Sequence, residues 1–514
     1  MKKYDVILIG TGAANIIADA AQLAGKKVAL IERGAYGGTC LNRGCIPTKI
    51  LVSAANAVLS IKEAARIGVK AEQVTLDWKT VSRRLQAKLS ESPEIKTYYE
   101  AFPNVDTFDG TASFTGKKTL SIAMNDGTTE ELEGKMIVIG TGGRTNIPKF
   151  PGFEDVGYIT SESFFTDAFP QRPYKSLIIL GGGPIGCEFA HIFDAAGTDV
   201  TIVQHNVRLL PKEDADVSTF LLKQFQNRGL HVALNKETLS ARIENGEKVV
   251  VLEDRGTGEK TEVRGEEILV APGIRPMTDL LHLENTDVTV DKRGYIETNE
   301  FLETAAEGIW AIGDVNGRAP FRHKANYEAE ILADNLFGTA APAHWRWAEY
   351  GVVPAVTYTY PEAAHVGLTA DAAQKLGYRT KVAVNHFSHS AKGYALGYEE
   401  GADDDGFIKL VLDADTGKIL GAHIIGPEAS ILIQPFIDLM NSGTHVIAPL
   451  HPEIASETVK HLRAMPLTRI LDPHNVRTLN ETMTPHPSLS EVTMWTRYYV
   501  CLKYLIGAII VPIR

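Results

Sequence analysis

The chain has 514 residues, 44% of them hydrophobic, and a formal net charge of −11 at pH 7. This length predicts several domains, and an acidic balance without a long basic run argues against a nucleic-acid-binding surface. Four cysteines are too few for a secreted disulfide scaffold, so a cysteine pair in this chain favours catalysis.

The N-terminus predicts a βαβ dinucleotide-binding fold. An apolar strand over residues 3–9 leads into Gly10 and Gly12, and a helix and a second strand follow, ending at Glu32. Gly10 permits a tight turn, and Gly12 lets the backbone approach a pyrophosphate at the helix N-terminus. Glu32 can accept hydrogen bonds from a ribose, while Asn15 replaces the usual third glycine. The apolar run is too short for a secretory signal, which predicts a cytoplasmic protein.

The stretch Gly37 to Lys49 holds two of the four cysteines, Cys40 and Cys45, followed by Pro47. A thiol pair beside a bound dinucleotide favours redox chemistry, because thiolates exchange with disulfides and a dinucleotide can supply electrons. The spacing by itself also fits a structural disulfide or half of a metal site. A helix is predicted from just after Pro47.

The next part of the chain changes from helical to β-rich patterning. Residues 70–100 are predicted to be helical and amphipathic, and residues 105–132 to form strands joined by turns. An apolar strand at residues 136–139 closes at Thr141 and Gly142.

A second βαβ unit is predicted at residues 176–204. Its turn, Gly181 to Gly186, is a complete G-x-G-x-x-G motif in an intact strand-turn-helix context. The following strand ends at Gln204 instead of an acid, with His205 and Arg208 nearby. A neutral side chain does not repel a 2′-phosphate, so the choice between NADH and NADPH stays open.

The remaining elements have no nucleotide motif of their own. A strand at residues 308–312 ends in Gly313 and Asp314, which is well placed to bind a cofactor. Beyond residue 350 we expect a mixed α+β module that serves assembly, including a helix at residues 430–440. The apolar tail, residues 498–513, is shorter than the roughly 20 residues that span a bilayer, so membrane contact is disfavoured.

In kind and order, these motifs and the stretch His486 to Glu491 resemble the class I pyridine nucleotide-disulfide oxidoreductases. Leu41 to Lys49 is most similar to the dihydrolipoyl dehydrogenase and mycothione reductase branches of that family. Mercuric reductase is disfavoured because it implies a C-terminal cysteine pair, and Cys501 stands alone. His451 competes for the role of terminal histidine, but Glu457 follows it by six residues where the family spacing is five.

The resemblance implies an α/β fold with two Rossmann-like dinucleotide-binding domains, for FAD and NAD(P), and a C-terminal α+β dimerisation domain. The implied boundaries are residues 1–150 with 275–345 for FAD, 151–274 for NAD(P), 346–495 for dimerisation and 496–514 for the tail. An insertion relative to the family is expected around residues 444–480.

The resemblance also assigns residues by their match to the family motifs. The implied catalytic residues are Cys40, Cys45, Lys49, Glu188, His486 and Glu491. The implied cofactor-binding residues are Gly10, Gly12, Glu32, Arg33, Gly38, Thr39, Lys49, Thr141, Gly142, Gly181, Gly183, Ile185, Gly186, Gln204, His205, Gly273, Gly313 and Asp314. No metal site is implied.

The implied mechanism is dithiol–disulfide exchange. Cys45 would be the thiolate nearer the flavin, Cys40 would exchange with a small-molecule or protein-bound disulfide, and His486, oriented by Glu491, would move the proton. In the family this histidine comes from the partner subunit, so the resemblance implies a homodimer with shared active sites.

Four functions follow from these observations. The leading hypothesis is an NAD(P)H:disulfide oxidoreductase like dihydrolipoyl dehydrogenase. The runner-up is an NADPH-dependent reductase of mycothione or another low-molecular-weight disulfide, which Gln204 favours. An NAD(P)H oxidase or quinone reductase that bypasses the dithiol, and a flavoprotein scaffold without disulfide turnover, stay open.

Overall fold

The computed structural model describes residues 1–339, 341–472, 474 and 476–496. The predicted apolar tail, residues 498–513, lies outside the described residues, as does Cys501. Two sheets with parallel cores and one antiparallel sheet organise the described chain, which confirms the predicted fold class.

The first sheet is built on an apolar strand whose side chains from Val6 to Leu8 are completely buried. Because both faces of such a strand are covered by helices, a continuous apolar run is stable there. The six strands lie in the order Lys2–Ile9, Val28–Glu32, Val105–Gly116, Thr119–Met124, Thr129–Ile139 and Ile309–Ala311. Helices Ala14–Leu23, Ser92–Glu100 and Arg322–Phe337 supply side chains to the same core.

The second sheet is entirely parallel and repeats this design. Its strands lie in the order His231–Ala233, Asp199–Val203, Ser176–Leu180, Glu267–Val270 and Ile159–Thr160. Its helices are Phe153–Val156, Ser161–Phe165, Pro184–Ala195 and Ala215–Asn227. An antiparallel sheet of Lys236–Glu244, Glu247–Asp254 and Lys260–Gly265 adjoins it. Strands Gly143–Thr145 and Ile274–Pro276 pair with each other where the chain enters and leaves this second unit.

The third sheet is antiparallel and carries the assembly module. Its strands lie in the order Ala355–Thr357, Glu362–Gly367, Ile419–Gly426, Phe407–Asp413 and Thr380–His386. Its helices are Ala370–Lys375, Ala391–Ala395, Ala429–Leu432 and Gln434–Asn441, so the single helix predicted at residues 430–440 is wrong. Pro435 lies in the first turn of the last helix, where a missing N–H costs nothing.

The predicted insertion is an ordered structure. It contains a two-stranded hairpin of Thr444–Ile447 and Leu467–Ile470, with helix Glu457–Leu462 between the strands. Short 3₁₀ helices complete the described chain at Ala64–Ile67, Leu283–Asn285, Gly313–Asn316, Pro342–His344, Phe387–His389 and Val476–Asn480. Residues 490–496 are helical.

The cysteine stretch forms two helices, Gly38–Arg43 and Cys45–Glu63, so the second begins before Pro47 and not after it. Residues 38–67 are the one part of the described chain that is long and apolar enough, by length and composition, to cross a membrane. Here they are folded against the two dinucleotide-binding units, and Leu51 and Val52 lie in the core.

The helical structure predicted for residues 70–100 is confirmed for most of that range, as two helices. The structure has helices Trp78–Leu89 and Ser92–Glu100, preceded by a non-helical segment. The Asp77 side chain accepts a hydrogen bond from the Thr80 N–H and caps the first helix, while Pro93 starts the second.

The first glycines of the two dinucleotide motifs occupy equivalent strained positions. Gly10 has φ +102° and Gly181 has φ +120°. A Cβ atom would lie 2.4 Å from the Gly140 carbonyl oxygen in the first case and 2.3 Å from the Ala271 carbonyl oxygen in the second. Both contacts are with backbone just after a strand that neighbours the first strand in its sheet, so only glycine fits.

Substitution by alanine should have opposite effects at two glycines of the second motif, Gly186 and Gly183. In Gly186→Ala the Cβ atom would lie 1.9 Å from the Gly181 carbonyl oxygen, so we expect a loss of about 1–3 kcal/mol in folding stability. In Gly183→Ala no atom lies within 4 Å of the Cβ position, so the melting temperature should hold while the KM for NAD(P)H rises. Thermal melts and kinetics check this; an equally destabilised Gly183→Ala would contradict it.

Candidate active site

The dithiol stretch is pressed against the first glycine loop. A Cβ atom on Gly38 would lie 2.8 Å from the Gly12 Cα atom, and Gly38 has φ +67°. Gly44 separates helix Gly38–Arg43 from helix Cys45–Glu63, and a Cβ atom there would lie 3.0 Å from the Thr39 carbonyl oxygen. The backbone therefore fixes both cysteines close to the first dinucleotide site. Both are free thiols.

His486 lies directly beside the cysteines of its own chain. Its Nε2 atom is 3.1 Å from the Cys40 sulfur, and its Nδ1 atom is 2.7 Å from Glu491 Oε1. Glu491 also accepts a hydrogen bond from the Ser488 N–H. Both contacts of the imidazole are therefore made by described residues of this chain, and the supply of this histidine by a partner subunit stays a prediction.

His451, the other candidate for the terminal histidine, contacts a different carboxylate. Its Nδ1 atom is 3.0 Å from a carboxylate oxygen of Glu453, whose side chain is 68% exposed. The family spacing of five residues thus selects the histidine that the structure places at the sulfurs.

The two thiols are electrostatically different. A hydrogen bond from Cys40, with support from His486 and Lys49, lowers the pKa of Cys45 well below its ordinary value although burial opposes this. The same hydrogen bond, together with burial, raises the pKa of Cys40 well above its ordinary value. Thiolate character is therefore concentrated on Cys45, and Cys40 keeps its proton.

His486 holds a positive charge in this cluster. Burial disfavours its charged form, but hydrogen bonds to Cys45 and Glu491 outweigh burial and raise the pKa of His486 to about 9. The side chains of His486 and Glu491 are only 10% and 11% exposed. The geometry thus pairs an imidazolium with the Cys45 thiolate, next to the protonated Cys40 thiol.

The same three residues could also hold a metal ion, although the sequence implies no metal site. One ligand atom each from Cys40, Cys45 and His486 lies within 4.8 Å of the others. Sulfur and imidazole donors suit soft and borderline metals.

Lys49 and Glu188 form a partly buried ion pair that joins three parts of the fold. Lys49 Nζ is 2.7 Å from Glu188 Oε2, and Glu188 Oε1 accepts a hydrogen bond of 3.0 Å from the Tyr358 N–H. Lys49 Nζ also lies 4.3 Å from the centre of the Tyr358 ring. The sequence analysis misses Tyr358, and its position just after strand Ala355–Thr357 is the only sequence signal for it.

The first dinucleotide site is organised around Glu32. Its carboxylate accepts hydrogen bonds from the N–H and the hydroxyl of Thr11 and from the Gly34 N–H. Burial raises the pKa of Asp314, whose Cβ atom would lie 3.6 Å from a Cβ atom on Gly143, to about 6. Arg33 contacts the Met277 sulfur, and the Thr141 hydroxyl donates to the Met277 carbonyl oxygen.

The residues of this cleft fit a bound dinucleotide. No atom lies within 4 Å of a Cβ position on Gly142, and only an Arg322 guanidinium nitrogen, at 3.7 Å, approaches that of Gly12. Open space over a helix N-terminus is what a pyrophosphate requires. The sequence analysis misses Arg322, whose charge also lowers the pKa of Cys40 against the stronger opposing effects.

Gln204 performs the structural task of the missing acid in the second site. Its side-chain oxygen accepts a hydrogen bond from the Gly182 N–H, and its amide nitrogen donates to the Arg208 carbonyl oxygen. His205 lies 3.0 Å from Glu237, and Arg255 donates to the His205 carbonyl oxygen. The sequence analysis misses Arg255, which reaches the site from a distant turn. Gly183 and Gly273 leave open space, and Ile185 is partly buried beside them.

Comparison with known proteins gives one consistent answer. The family model for pyridine nucleotide-disulphide oxidoreductases matches residues 4–329, and the model for the dimerisation domain of that family matches residues 353–459. Dihydrolipoyl dehydrogenase of Thermus scotoductus is 35% identical over 87% of this chain and 93% of its own length. Mycothione reductase of Mycobacterium tuberculosis is 31% identical over 90% of this chain and 100% of its own.

Solved structures agree with this. The HOCl-induced flavoprotein disulfide reductase RclA from Escherichia coli, in its Cu(II) complex, aligns with a TM-score of 0.73 and 26% identity. The alignment covers 97% of this chain and 100% of that chain.

The His486–Cys45 pairing predicts how the thiolate titrates. In His486→Gln the positive charge is lost, so the pKa of Cys45 should rise toward its ordinary range. Ultraviolet difference titration of the reduced protein against Cys45→Ser measures this. His451→Gln is the matched control and should titrate like the wild type; identical titration of the two glutamine variants would refute the pairing.

Proposed function

The chain belongs to the class I pyridine nucleotide-disulphide oxidoreductases, and on that basis we propose that it exchanges electrons between NAD(P)H and dihydrolipoamide or a similar dithiol. As a member of this family it is an FAD-dependent oxidoreductase that acts on sulfur groups, with NAD(P)H as its second nucleotide. Its dimerisation domain makes it a homodimer.

The observation that carries the proposal is the contact of His486 with Cys40, backed by Glu491. A proton acceptor at hydrogen-bond distance can convert the Cys40 thiol into the attacking thiolate, as in other base-activated nucleophiles. Bound FAD supplies the link by which two electrons pass between the nicotinamide and the dithiol. The arrangement therefore favours thiol–disulfide exchange over a reaction that bypasses the cysteines.

Reduction of the substrate disulfide takes two thiol–disulfide exchange steps. In the form of the enzyme in which His486 is neutral, its imidazole takes the proton of Cys40, whose sulfur attacks the substrate disulfide and forms a mixed disulfide as the first thiolate leaves. That thiolate takes the proton from His486. The Cys45 thiolate then attacks the Cys40 sulfur, closing the protein disulfide and releasing the second substrate thiolate. Dihydrolipoamide oxidation follows the same steps in reverse.

Three further charged side chains, those of Glu491, Lys49 and Glu188, support this exchange. Glu491 holds the imidazole in the tautomer that presents Nε2 to sulfur. Lys49 keeps positive charge near the Cys45 thiolate, and its ion pair with Glu188 ties that charge to the second nucleotide domain. The dithiol chemistry needs a reducing compartment, so we assign the protein to the cytoplasm.

A second candidate is an NADPH-dependent reductase of mycothione or another low-molecular-weight disulfide. The observation that favours it is Gln204, a neutral residue whose side-chain oxygen accepts from the Gly182 N–H of the glycine loop and whose amide nitrogen donates to the Arg208 carbonyl oxygen. Arg255 donates to the carbonyl oxygen of His205, the residue after Gln204. No carboxylate at position 204 opposes a 2′-phosphate.

An anaerobic turnover screen distinguishes the candidates. Lipoamide, glutathione, mycothione and coenzyme A disulfides are each tested with NADH and with NADPH, and we expect lipoamide to give the highest kcat/KM. Cys45→Ser should lose disulfide turnover and keep bound FAD, because the second exchange step needs this sulfur. Retained lipoamide turnover in Cys45→Ser would eliminate the dithiol mechanism.

The preference for NADPH or NADH should depend on the side chain at position 204. In Gln204→Glu the carboxylate still accepts the Gly182 N–H but brings negative charge to the ribose. We expect kcat/KM for NADPH to fall by about tenfold, equivalent to about 1.4 kcal/mol, relative to that for NADH. Gln226→Glu, on the helix Ala215–Asn227, is the matched control. An unchanged NADPH to NADH ratio in Gln204→Glu would show that position 204 does not select the nucleotide.

A further inference from the structure

We propose that the ion pair between Arg43 and Glu162 positions Cys40 for disulfide exchange, because it fastens the helix that carries Cys40 to the second dinucleotide unit. We call this helix, Gly38–Arg43, the bridging helix. The inference rests on the proposed function in one respect, the use of Cys40 as the thiol that attacks the substrate. Arg43 acts on that sulfur through the backbone, so it is a positioning residue.

The bridging helix is too short to hold its own position. It has six residues, and isolated helices of fewer than about 12 residues are marginal in water. It ends at Gly44, whose φ of −143° and ψ of −114° interrupt the helical path before Cys45. The position of Cys40 relative to Cys45 therefore depends on what the side chains of the bridging helix contact.

Asn42 fastens the bridging helix to the first dinucleotide unit. Its side-chain nitrogen is 3.2, 2.9 and 3.0 Å from the carbonyl oxygens of Ala35, Tyr36 and Gly38, in that order. Asn42 is buried. Two of the three acceptors belong to the loop that follows Glu32, so this side chain ties the helix to the first cofactor site.

Arg43, the next residue, contacts the second dinucleotide unit. Its Nη1 atom is 2.7 Å from Glu162 Oε1. The side chain of Arg43 is 14% exposed and that of Glu162 is 38% exposed. Successive side chains of a helix point about 100° apart, so Asn42 and Arg43 reach different neighbours. The bridging helix thus spans the space between the two units.

The position of Glu162 is fixed by the core of the second unit. Glu162 lies on helix Ser161–Phe165. Phe164 and Phe165 of that helix are buried in the core that also receives side chains from helix Cys45–Glu63. The ion pair therefore connects Cys40 to the same core that holds the helix starting at the second cysteine.

Holding the bridging helix in place should favour closure of the protein disulfide. A disulfide forms only when the two Cα atoms lie about 4.4–6.8 Å apart with suitable side-chain directions. In the disulfide form the S–S bond itself fixes the helix, whereas in the dithiol form only side-chain contacts do. Loss of the ion pair therefore gives freedom mainly to the dithiol form and lowers the effective concentration of one thiol at the other.

The redox equilibrium of the protein dithiol tests this without turnover. Holoenzyme is equilibrated with mixtures of reduced and oxidised dithiothreitol, which exchange two electrons and two protons with the cysteine pair. Free thiols are counted by alkylation and mass spectrometry. In Glu162→Gln we expect the equilibrium constant for reduction of the disulfide to rise about fivefold, equivalent to about 20 mV. Glu266→Gln is the matched control, because Glu266 pairs with Arg172 within the second unit, and it should match the wild type.

Rapid kinetics separate the position of Cys40 from a general effect on the enzyme. In Glu162→Gln the rate at which a substrate disulfide reoxidises the reduced protein should fall about fivefold, which is the upper range for a partly exposed ion pair. The rate at which NAD(P)H reduces bound FAD, the FAD content and the melting temperature should not change. Wild-type values for both the redox equilibrium and reoxidation would contradict the proposal, as would an equal loss in the two half-reactions.

A double-mutant cycle tests whether the two residues act as a pair. Arg43→Gln should shift the redox equilibrium in the same direction as Glu162→Gln, and the double variant should shift it no further than the larger single effect. Arg43→Lys keeps the charge and should retain most of the wild-type behaviour. Additive shifts in the double variant would mean that the residues act separately, and the positioning pair would be wrong.

Cys40→Ser separates this inference from the proposed function. If that variant keeps full disulfide turnover, Cys40 is not the attacking thiol and the proposed function fails. If Cys40→Ser is inactive while Glu162→Gln behaves like the wild type, the proposed function stands and only the positioning role of the ion pair is wrong.

Discussion

A buried thiolate requires compensating charge, and the architecture of this protein is arranged to supply it. From Glu491 through His486, Cys45 and Lys49 to Glu188, charges alternate in sign across the centre of the molecule. The members come from the cysteine helix, the helix of the second dinucleotide unit and the end of the described chain. Each buried ion is stabilised by its neighbours, so the domains must be held in register for any one of them to remain charged.

The rest of the fold keeps the domains in the relative positions that these alternating charges require. Two parallel sheets present their glycine loops from either side, and the antiparallel module brings Tyr358 to the Lys49–Glu188 pair. Buried ion pairs between Arg463 and Glu300, and between Arg469 and Glu349, keep the final segment against the first unit. Packing alone would not fix the position of an imidazole so closely, whereas hydrogen bonds to both of its ring nitrogens do.

The sequence predicts those parts of the site that depend on local chemistry. Gly10, Gly12 and the motif Gly181 to Gly186 are recognisable because a tight turn under a pyrophosphate permits few residues at fixed intervals. The five-residue spacing between His486 and Glu491 is equally local. Tyr358, Arg255 and Arg322 escape detection because they reach the site through tertiary contacts, without any short-range pattern. The path of the segment that leads to His486 also depends on tertiary packing, and the sequence shows the presence of this segment but not its path.

The contact between Gly38 and Gly12 has a consequence for how such a protein can change over time. The separation between the sulfurs and the cofactor loop is set by backbone meeting backbone, with no side chain between them that mutation could enlarge or trim. Evolution can therefore retune the driving force of the electron exchange, by altering the charges around Cys45, while the gap that the electrons cross stays constant.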